Sequence, residues 1–492
     1  MIRAAAARMP AAIRRVPVPL ALLLACALVL GSAWSLVTGP LQSFDEEDHV
    51  AYALHLAQTG SPPSPNEGDH RYGPAERRAL YGLSLRRMTQ NPGVRPPWRT
   101  SDERAFERFE ASLPDGSGAA GVGPNPLAKN PPLFYAYEGA VSRIVPGGFF
   151  TDLWAMRLAN VLVLLAAVCF AWLLACELFV RTLPRVVVAG VVALQPVLGQ
   201  LAGIVNSDTL LTAAYLALTW LGVRACRRGL TIGGLAAIGA AAGACVLTHG
   251  RGIAALPAFL LIALVLYLHH RPSLKAALRP ALAGVLTLAA AVVLYRIYTA
   301  TSGSGGALYG GEVSFAPKGA NPREFLSFVW QFYFPALETM SPRIGPDYGF
   351  YQVFVQTLFG SFGSYEVYLA EGVLDVVRLT LVGGALALLA VLVRRWEQAK
   401  RHWAEIALVV APAACLVALL HVASYRALLG SPDPLITGRY FLPLLGAIGV
   451  GAAVLVDTLP RRAGTILAGA LLTGLTLMSL SGIALTLART YV

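Results

Sequence analysis

The fold class that this 492-residue sequence predicts is an all-α polytopic membrane protein of about eleven transmembrane helices. Three observations carry that expectation. Hydrophobic residues make up 56% of the chain against 13% charged, and the mean hydropathy is +0.60, well outside a soluble globular profile. Apolar runs recur along its whole length, several of them close to the ~20 residues that a helix needs to cross the hydrocarbon core. The short connections between runs are alternately basic and non-basic, as in a multi-pass topology.

The runs fall at roughly 17–38, 152–180, 186–204, 208–223, 231–248, 252–268, 281–300, 371–393, 404–425, 436–456 and 463–487, of which 208–223 and 231–248 are short. The first follows Arg3, Arg8, Arg14 and Arg15. It is long for a signal h-region and no small-residue cleavage site precedes Gln42, so it is expected to be a retained helix. Arg181 and Arg185, then Arg224, Arg227 and Arg228, lie on the same side as that tail. So do Arg271, Lys275 and Arg279, then Arg394, Arg395, Lys400 and Arg401, and finally Arg461 and Arg462. The positive-inside rule makes this side, with the N-terminus, cytoplasmic. The composition, rich in Ala, Arg, Gly and Pro, suggests a GC-rich bacterial genome, and the expected location is the bacterial inner membrane. The net charge of +12 is then mainly a topology signal, and with no soluble basic domain or aromatic-basic array no nucleic-acid partner is expected. Cys26, Cys169, Cys176, Cys226, Cys245 and Cys415 fall in or beside spans and read as small packing residues.

Five regions follow: 1–39 with the tail and first helix, 40–150 as a long outer loop, 151–300 with helices two to seven, 301–370 as a second outer segment, and 371–492 with the last four helices. The long loop holds Pro/Gly-rich stretches and two amphipathic pieces suited to lying flat at an interface. One, 75–88, puts Leu80, Leu83 and Met88 near one face; the other, 102–113, has Ser101 as a plausible N-cap and Pro114 as a stop. The second outer segment opens on TSGSGG and turns aromatic, where Trp330, Phe332 and Tyr333 are expected to anchor at the membrane boundary.

Polar residues that look chemical gather on the outer side: Asp45, Glu46, His49, Asn206, Asp208, His249, Arg251, Glu366 and Arg439. A transporter is expected to place such groups near the midplane and to show repeated halves. In SFDEEDHVAYALHLA (43–57), Ser43 and Glu46 read as a capping box, and Asp45, His49 and Tyr52 recur on one helical face. Four successive acids exceed what capping needs, so Asp45 or Glu46 is a candidate general base, its pKa tuned by burial and neighbours. Asn206 and Asp208 are candidate ligands or a helix cap. The His249 and Arg251 cations of LTHGRG, flanked by glycines, can approach a phosphate or snorkel to headgroups. Arg439, at the start of a span, requires an anion or carboxylate partner. NPPLFYAY (130–137) reads as a rigid extended piece ahead of the second span. No cofactor is required; a divalent metal on Asp45, His49 and Asp208 stays open, although the spacing matches no strong signature.

The acidic pair after the first span, the long loop with amphipathic helices and the Asn/Asp of the second outer loop resemble the GT-C glycosyltransferases. Those are multispan enzymes that include protein O-mannosyltransferases and the aminoarabinose transferases of lipid A. FDEEDH (44–49), NPPLFY (130–135), NSD (206–208), GSFG (360–363) and GRYFLP (438–443) resemble more closely a bacterial membrane-protein family known by a domain-of-unknown-function label. The resemblance implies sugar transfer from a polyprenyl-phosphate donor to a polysaccharide, glycolipid or protein acceptor at the outer face. It implies Asp45 as base with Glu46 beside it, Asp208 near donor or metal, and His249, Arg251 and Arg439 toward the lipid phosphate, where relatives often carry a lysine. A transporter or flippase of a lipid-linked or cell-wall precursor, and a non-catalytic envelope assembly protein, are the competing readings.

Overall fold

In the computed structural model each of the eleven apolar runs is helical. The structure describes all residues except 1–15, 67, 90, 92, 96–98, 115–120, 122, 146, 302–320, 342–348, 431–435 and 492, so the N-terminal arginines and most of TSGSGG lie outside it. The long helices are α1 (Val18–Val37), α5 (Phe149–Leu178), α8 (Asp208–Arg228), α10 (Ala255–His270), α11 (Leu274–Thr301), α13 (Glu371–Arg394), α14 (Trp403–Gly430), α15 (Leu445–Thr458) and α16 (Arg461–Tyr491). Between them stand α6 (Thr182–Leu194), α7 (Pro196–Ala202) and α9 (Ile232–Thr248), while 3-10 turns at Gly250–Ala254 and Gly438–Leu444 lead into α10 and α15. Among the described residues nine helices are long and apolar enough to cross a membrane, or ten if α6 and α7 form one span. The apolar α9, at 17 residues, is the eleventh run. The six cysteines are free.

The third run is not one straight helix: α6 and α7 meet at 55°. Pro196 has no N–H to continue the ladder. The Gln195 side chain instead accepts from Leu198 N–H and donates to the Leu358 carbonyl at 2.5 Å. The fourth run extends beyond the expected 223 to Arg228, because Arg224 and Arg228 sit in the last turns and reach Glu177 at 3.4 and 3.0 Å. Together with Arg181–Asp457 and Arg227–Glu405 these pairs mark one end of the bundle. All motifs described below lie at the other.

There the 40–150 segment contributes α2 (Glu46–Thr59), α3 (Thr100–Ala111) and α4 (Leu133–Ile144). The amphipathic pieces bury their apolar faces in one another instead of lying on a membrane: Leu80, Phe106, Tyr52, Phe134 and Met156 share a cluster. The 75–88 piece is broken into a short helix, a π turn and a 3-10 turn, with Leu80 and Met88 buried. Ser101 lies inside the first turn of α3, not at its cap. NPPLFY is only half extended, since Leu133 starts α4. In the second segment, α12 (Pro322–Tyr333) buries Phe332 against His421, so Phe332 is a packing residue, while Trp330 is exposed. GSFG forms an antiparallel hairpin of β1 (Ser361–Phe362) and β2 (Val367–Tyr368), and Phe362 packs on Trp34 with ring centroids 5.0 Å apart.

One interaction locks this segment to the bundle. Arg157, two turns into α5 and fully buried, grips the Glu46 carboxylate through Nε at 2.7 Å and Nη2 at 2.6 Å. Its remaining N–H groups go to the carbonyls of Ser35, Thr38 and Gly39 at 2.8–3.0 Å. Glu46 also accepts from the N–H groups of Leu41 and Val205 at 3.1 and 3.2 Å. Every guanidinium donor is used, the condition under which a buried pair is tolerated. Arg157→Met strands the Glu46 charge and three carbonyls, and is expected to cost about 3–5 kcal/mol. Thermal unfolding in nanodiscs measures this, and Glu46→Gln added to Arg157→Met should recover part of the loss; unchanged melting of Arg157→Met would refute the lock.

Candidate active site

The four successive acids have four different fates. Asp45 stands at the N-cap of α2 in the left-handed region (φ 57°) and makes no capping hydrogen bond. The expected capping box therefore does not form. Ser43 is buried and accepts from Gln200 Nε2 at 3.2 Å, while the Glu46 carboxylate faces Arg157. Glu47 pairs with Arg86 at 2.6 Å and Asp48 with Arg71 at 3.5 Å. Burial pushes the Glu47 carboxyl up to about 7 and that of Asp48 to about 6. Asp45 alone is half-exposed, at 50%, and it receives Arg439 Nη2 at 2.8 Å. Burial acts to raise its pKa, but the charge and hydrogen bond of Arg439, aided by His49, outweigh it and hold Asp45 below the ordinary carboxylate range. Asp45 is the ionised, accessible acid of the row.

The NSD turn supplies the second half. Asn206 Oδ1 accepts from the Asp208 N–H at 2.9 Å, which fixes the amide orientation. Its Nδ2 then donates to the Phe44 carbonyl at 3.2 Å and faces His49 Nε2 at 3.4 Å. His49 Nε2 is thus an acceptor, and the proton sits on Nδ1 against the Tyr135 hydroxyl at 3.1 Å. Burial lowers the His49 pKa to about 4, so the ring is neutral. Tyr135 stacks on Tyr52 with centroids 3.7 Å apart, and Tyr52 donates to the Asn130 carbonyl at 3.1 Å. NPPLFY thereby becomes the support for His49.

Asp208 is buried and pairs with Arg251 Nη2. His249 accepts the Arg251 backbone N–H on Nδ1 at 3.1 Å, capping the 3-10 turn. Burial and the Arg251 charge hold its pKa well below the usual histidine value. LTHGRG therefore presents one cation, not two. Gly252 is dictated by that turn, because a Cβ there would collide with the Cys245 carbonyl. A Cβ at Gly438 would strike the backbone of residues 353–358, which is how GRYFLP seats Arg439.

Arg251 and Arg439 come together on Tyr440, whose ring centroid lies 4.0 and 5.5 Å from the two guanidinium carbons. Arg439 also covers Phe44 at 4.9 Å, and Phe44 packs edge-on to Tyr365 of the hairpin turn at 4.8 Å. Arg251 Nε and Nη1 and Arg439 Nε are buried with no hydrogen-bond partner among the described residues. Two guanidiniums around one ring, with three buried donors to spare, form a cradle for an anion. Asp45 and Asp208 flank it. Glu366 stands apart, paired with Arg489 at 2.9 Å. Among the described residues no three His, Cys, Asp or Glu side chains are placed to hold a metal ion, so Asp45, His49 and Asp208 do not assemble as one. Tyr440, Tyr135 and Arg157 are missed by sequence reasoning, although Tyr440 adjoins Arg439 and Tyr135 closes NPPLFY.

A family model described as "Predicted membrane protein (DUF2142)" matches residues 28–448. The chain belongs to that family. The DUF2142 match runs from α1 into α15 and contains every residue of the cradle. No curated protein matches the chain. Among solved structures, apo ArnT from Cupriavidus metallidurans is similar at TM-score 0.47 and 14% identity, over 91% of this chain and 61% of ArnT. The same protein bound to undecaprenyl phosphate gives TM-score 0.42 and 13% identity over the same shares. The apo oligosaccharyltransferase of Archaeoglobus fulgidus gives TM-score 0.44 and 13% identity, over 96% of this chain and 56% of the other. The chain thus spans about three fifths of the length of ArnT.

The neutrality of His49 has a measurable sign. Its folded pKa, about 4, lies below the ordinary 6.5, so the unfolded chain takes up the proton first. Stability from this group is complete above pH 6.5 and is lost as pH falls toward 4, by at most roughly 3 kcal/mol. Unfolding of wild type and His49→Gln across this window should show the difference shrinking on acidification; a constant difference would mean that His49 takes up its proton as readily in the fold as in the unfolded chain.

Proposed function

We propose that this DUF2142 protein is a GT-C-type glycosyltransferase that moves a sugar from a polyprenyl-phosphate donor to a cell-envelope acceptor. The observation that carries the reading is the cradle: Arg251 and Arg439 both packed against Tyr440, with buried donors to spare, beside the ionised and half-exposed Asp45. It supports a phosphate at the membrane boundary with a base next to it. The motif resemblance supports the donor class, and the basic connections at the opposite end support an outward-facing site in a bacterial inner membrane.

The chemistry needs little more. The acceptor hydroxyl oxygen attacks the anomeric carbon as the sugar–phosphate C–O bond breaks, and the electron pair leaves on the lipid phosphate. Inversion follows from a single displacement. Asp45 takes the hydroxyl proton, and the guanidiniums stabilise the charge growing on phosphate. Arg439 hydrogen-bonds Asp45; a phosphate that draws this guanidinium away removes what depresses the Asp45 pKa, so donor binding itself strengthens the base. Glu46 is spent on Arg157 and serves as a positioning residue, as does Asp208 through Arg251. His49 and Asn206 hold α2 against the NSD turn. A chelator control tests metal dependence.

Asp45→Asn is expected to lower transfer from labelled polyprenyl-phosphate sugars to an envelope acceptor fraction by roughly 10²–10⁴-fold. It should bind sugar-free polyprenyl phosphate at least as tightly as wild type, because Arg439 is released. Arg439→Ala and Arg251→Ala should each weaken that binding. Binding without transfer by wild type, over a broad donor panel, would turn the reading toward a flippase or an assembly protein.

A further inference from the structure

At the end of the bundle opposite Asp45, an open groove of about 370 Å³ lies between α13, α14 and α15. Its walls are apolar, with Leu388, Leu392, Val410 and Val454 among them, and Arg395 stands at its mouth. The reason for the groove lies in α13. Along its 24 residues only Leu374, in the first turn, is buried; it is pinned against Gly360 of the hairpin segment.

We propose that this groove holds one anionic diacyl phospholipid, its acyl chains between α13 and α15 and its phosphate at Arg395. Charge decides the occupant. Arg227 at the rim is paired with Glu405, Asp457 with Arg181, and nearby Lys400 with Glu397 at 2.7 Å. Arg395, which lines the groove, makes no ion pair among the described residues, so the apolar slot keeps an unpartnered positive charge. Basic mouths between transmembrane helices on the basic side of a bundle suit anionic headgroups. Gly451 lines the groove, and a Cβ there would meet only Leu388 Cδ2 at 3.2 Å, so a side chain at this position fills the slot without touching backbone.

The test is native mass spectrometry of full-length protein released from nanodiscs made of phosphatidylglycerol and phosphatidylcholine. Wild type should retain one phosphatidylglycerol in preference to phosphatidylcholine. Arg395→Gln, an exposed substitution, should cut that preference about fivefold, the worth of one arginine near an anionic lipid. Gly451→Leu should reduce total retained lipid, with thermal unfolding confirming the fold; should it fail to fold, Arg395→Gln alone decides. Equal retention of both lipids by wild type, no retained lipid, retention untouched by Arg395→Gln, or a dimer that covers α13 and excludes lipid would each overturn the assignment.

Discussion

The buried Arg157–Glu46 pair is the constraint on which the rest of this structure rests. It joins the connection between α1 and α2 to α5 and to the turn after α7. Two candidate site residues adjoin it. Asp45 precedes Glu46, and Asn206 follows Val205, whose N–H the same carboxylate accepts. An ion pair buried this deeply gains little net stability over an apolar replacement, since desolvation consumes most of the Coulomb attraction. What it supplies is geometry: a fork with five directed bonds admits one arrangement of the loops that meet there. Register, more than stability, is its contribution.

Around that fixed point the charges are arranged in opposed pairs. Asp45 faces Arg439 and Asp208 faces Arg251, so the charges of the cradle are close to balanced. A site built only of cations would be expensive at a membrane boundary. With each guanidinium paired to a carboxylate, any anion must compete for it, on one side with the acid proposed as the base. The left-handed conformation of Asp45 serves the same end. An aspartate at a helix N-terminus ordinarily turns back to cap it, and this one, at φ 57°, is swung away toward Arg439. The accompanying strain, on the order of 1 kcal/mol, is small beside the bidentate bonds that hold Glu46 next door.

The spans were legible because length and hydropathy are properties of contiguous residues. The DUF2142 motifs were legible as chemistry for a related reason: acids and arginines beside apolar runs stand out. What they bind was not legible. Asp45 and Arg439 are 394 residues apart and Glu46 and Arg157 are 111 apart, and one sequence holds no record of such pairings. Arg157 was hidden as a single arginine inside a mostly apolar run. Local rules failed where tertiary contacts outbid them: Ser43 and Glu46 have capping-box spacing, yet each has a buried partner elsewhere. His249 reads as a cation in the sequence and is neutral in the fold, because burial and Arg251 both oppose its charge. The amphipathic pieces of the 40–150 segment were seen correctly as amphipathic, but their apolar faces meet each other instead of lipid.

The helix that carries the cradle also carries the groove. Gly438–Leu444 presents Arg439 and Tyr440 and runs directly into α15, whose Gly451 lines the slot at the far end. At the cradle end the turn is held by the close seating of Gly438 against residues 353–358 and by the Thr437–Tyr365 hydrogen bond of 2.7 Å. At the far end α15 is tied to α6 and, through Asp457, to Arg181, while its face toward α13 is open. The turn that positions Arg439 and Tyr440 thus continues, past Pro443, into the helix that forms one wall of the groove.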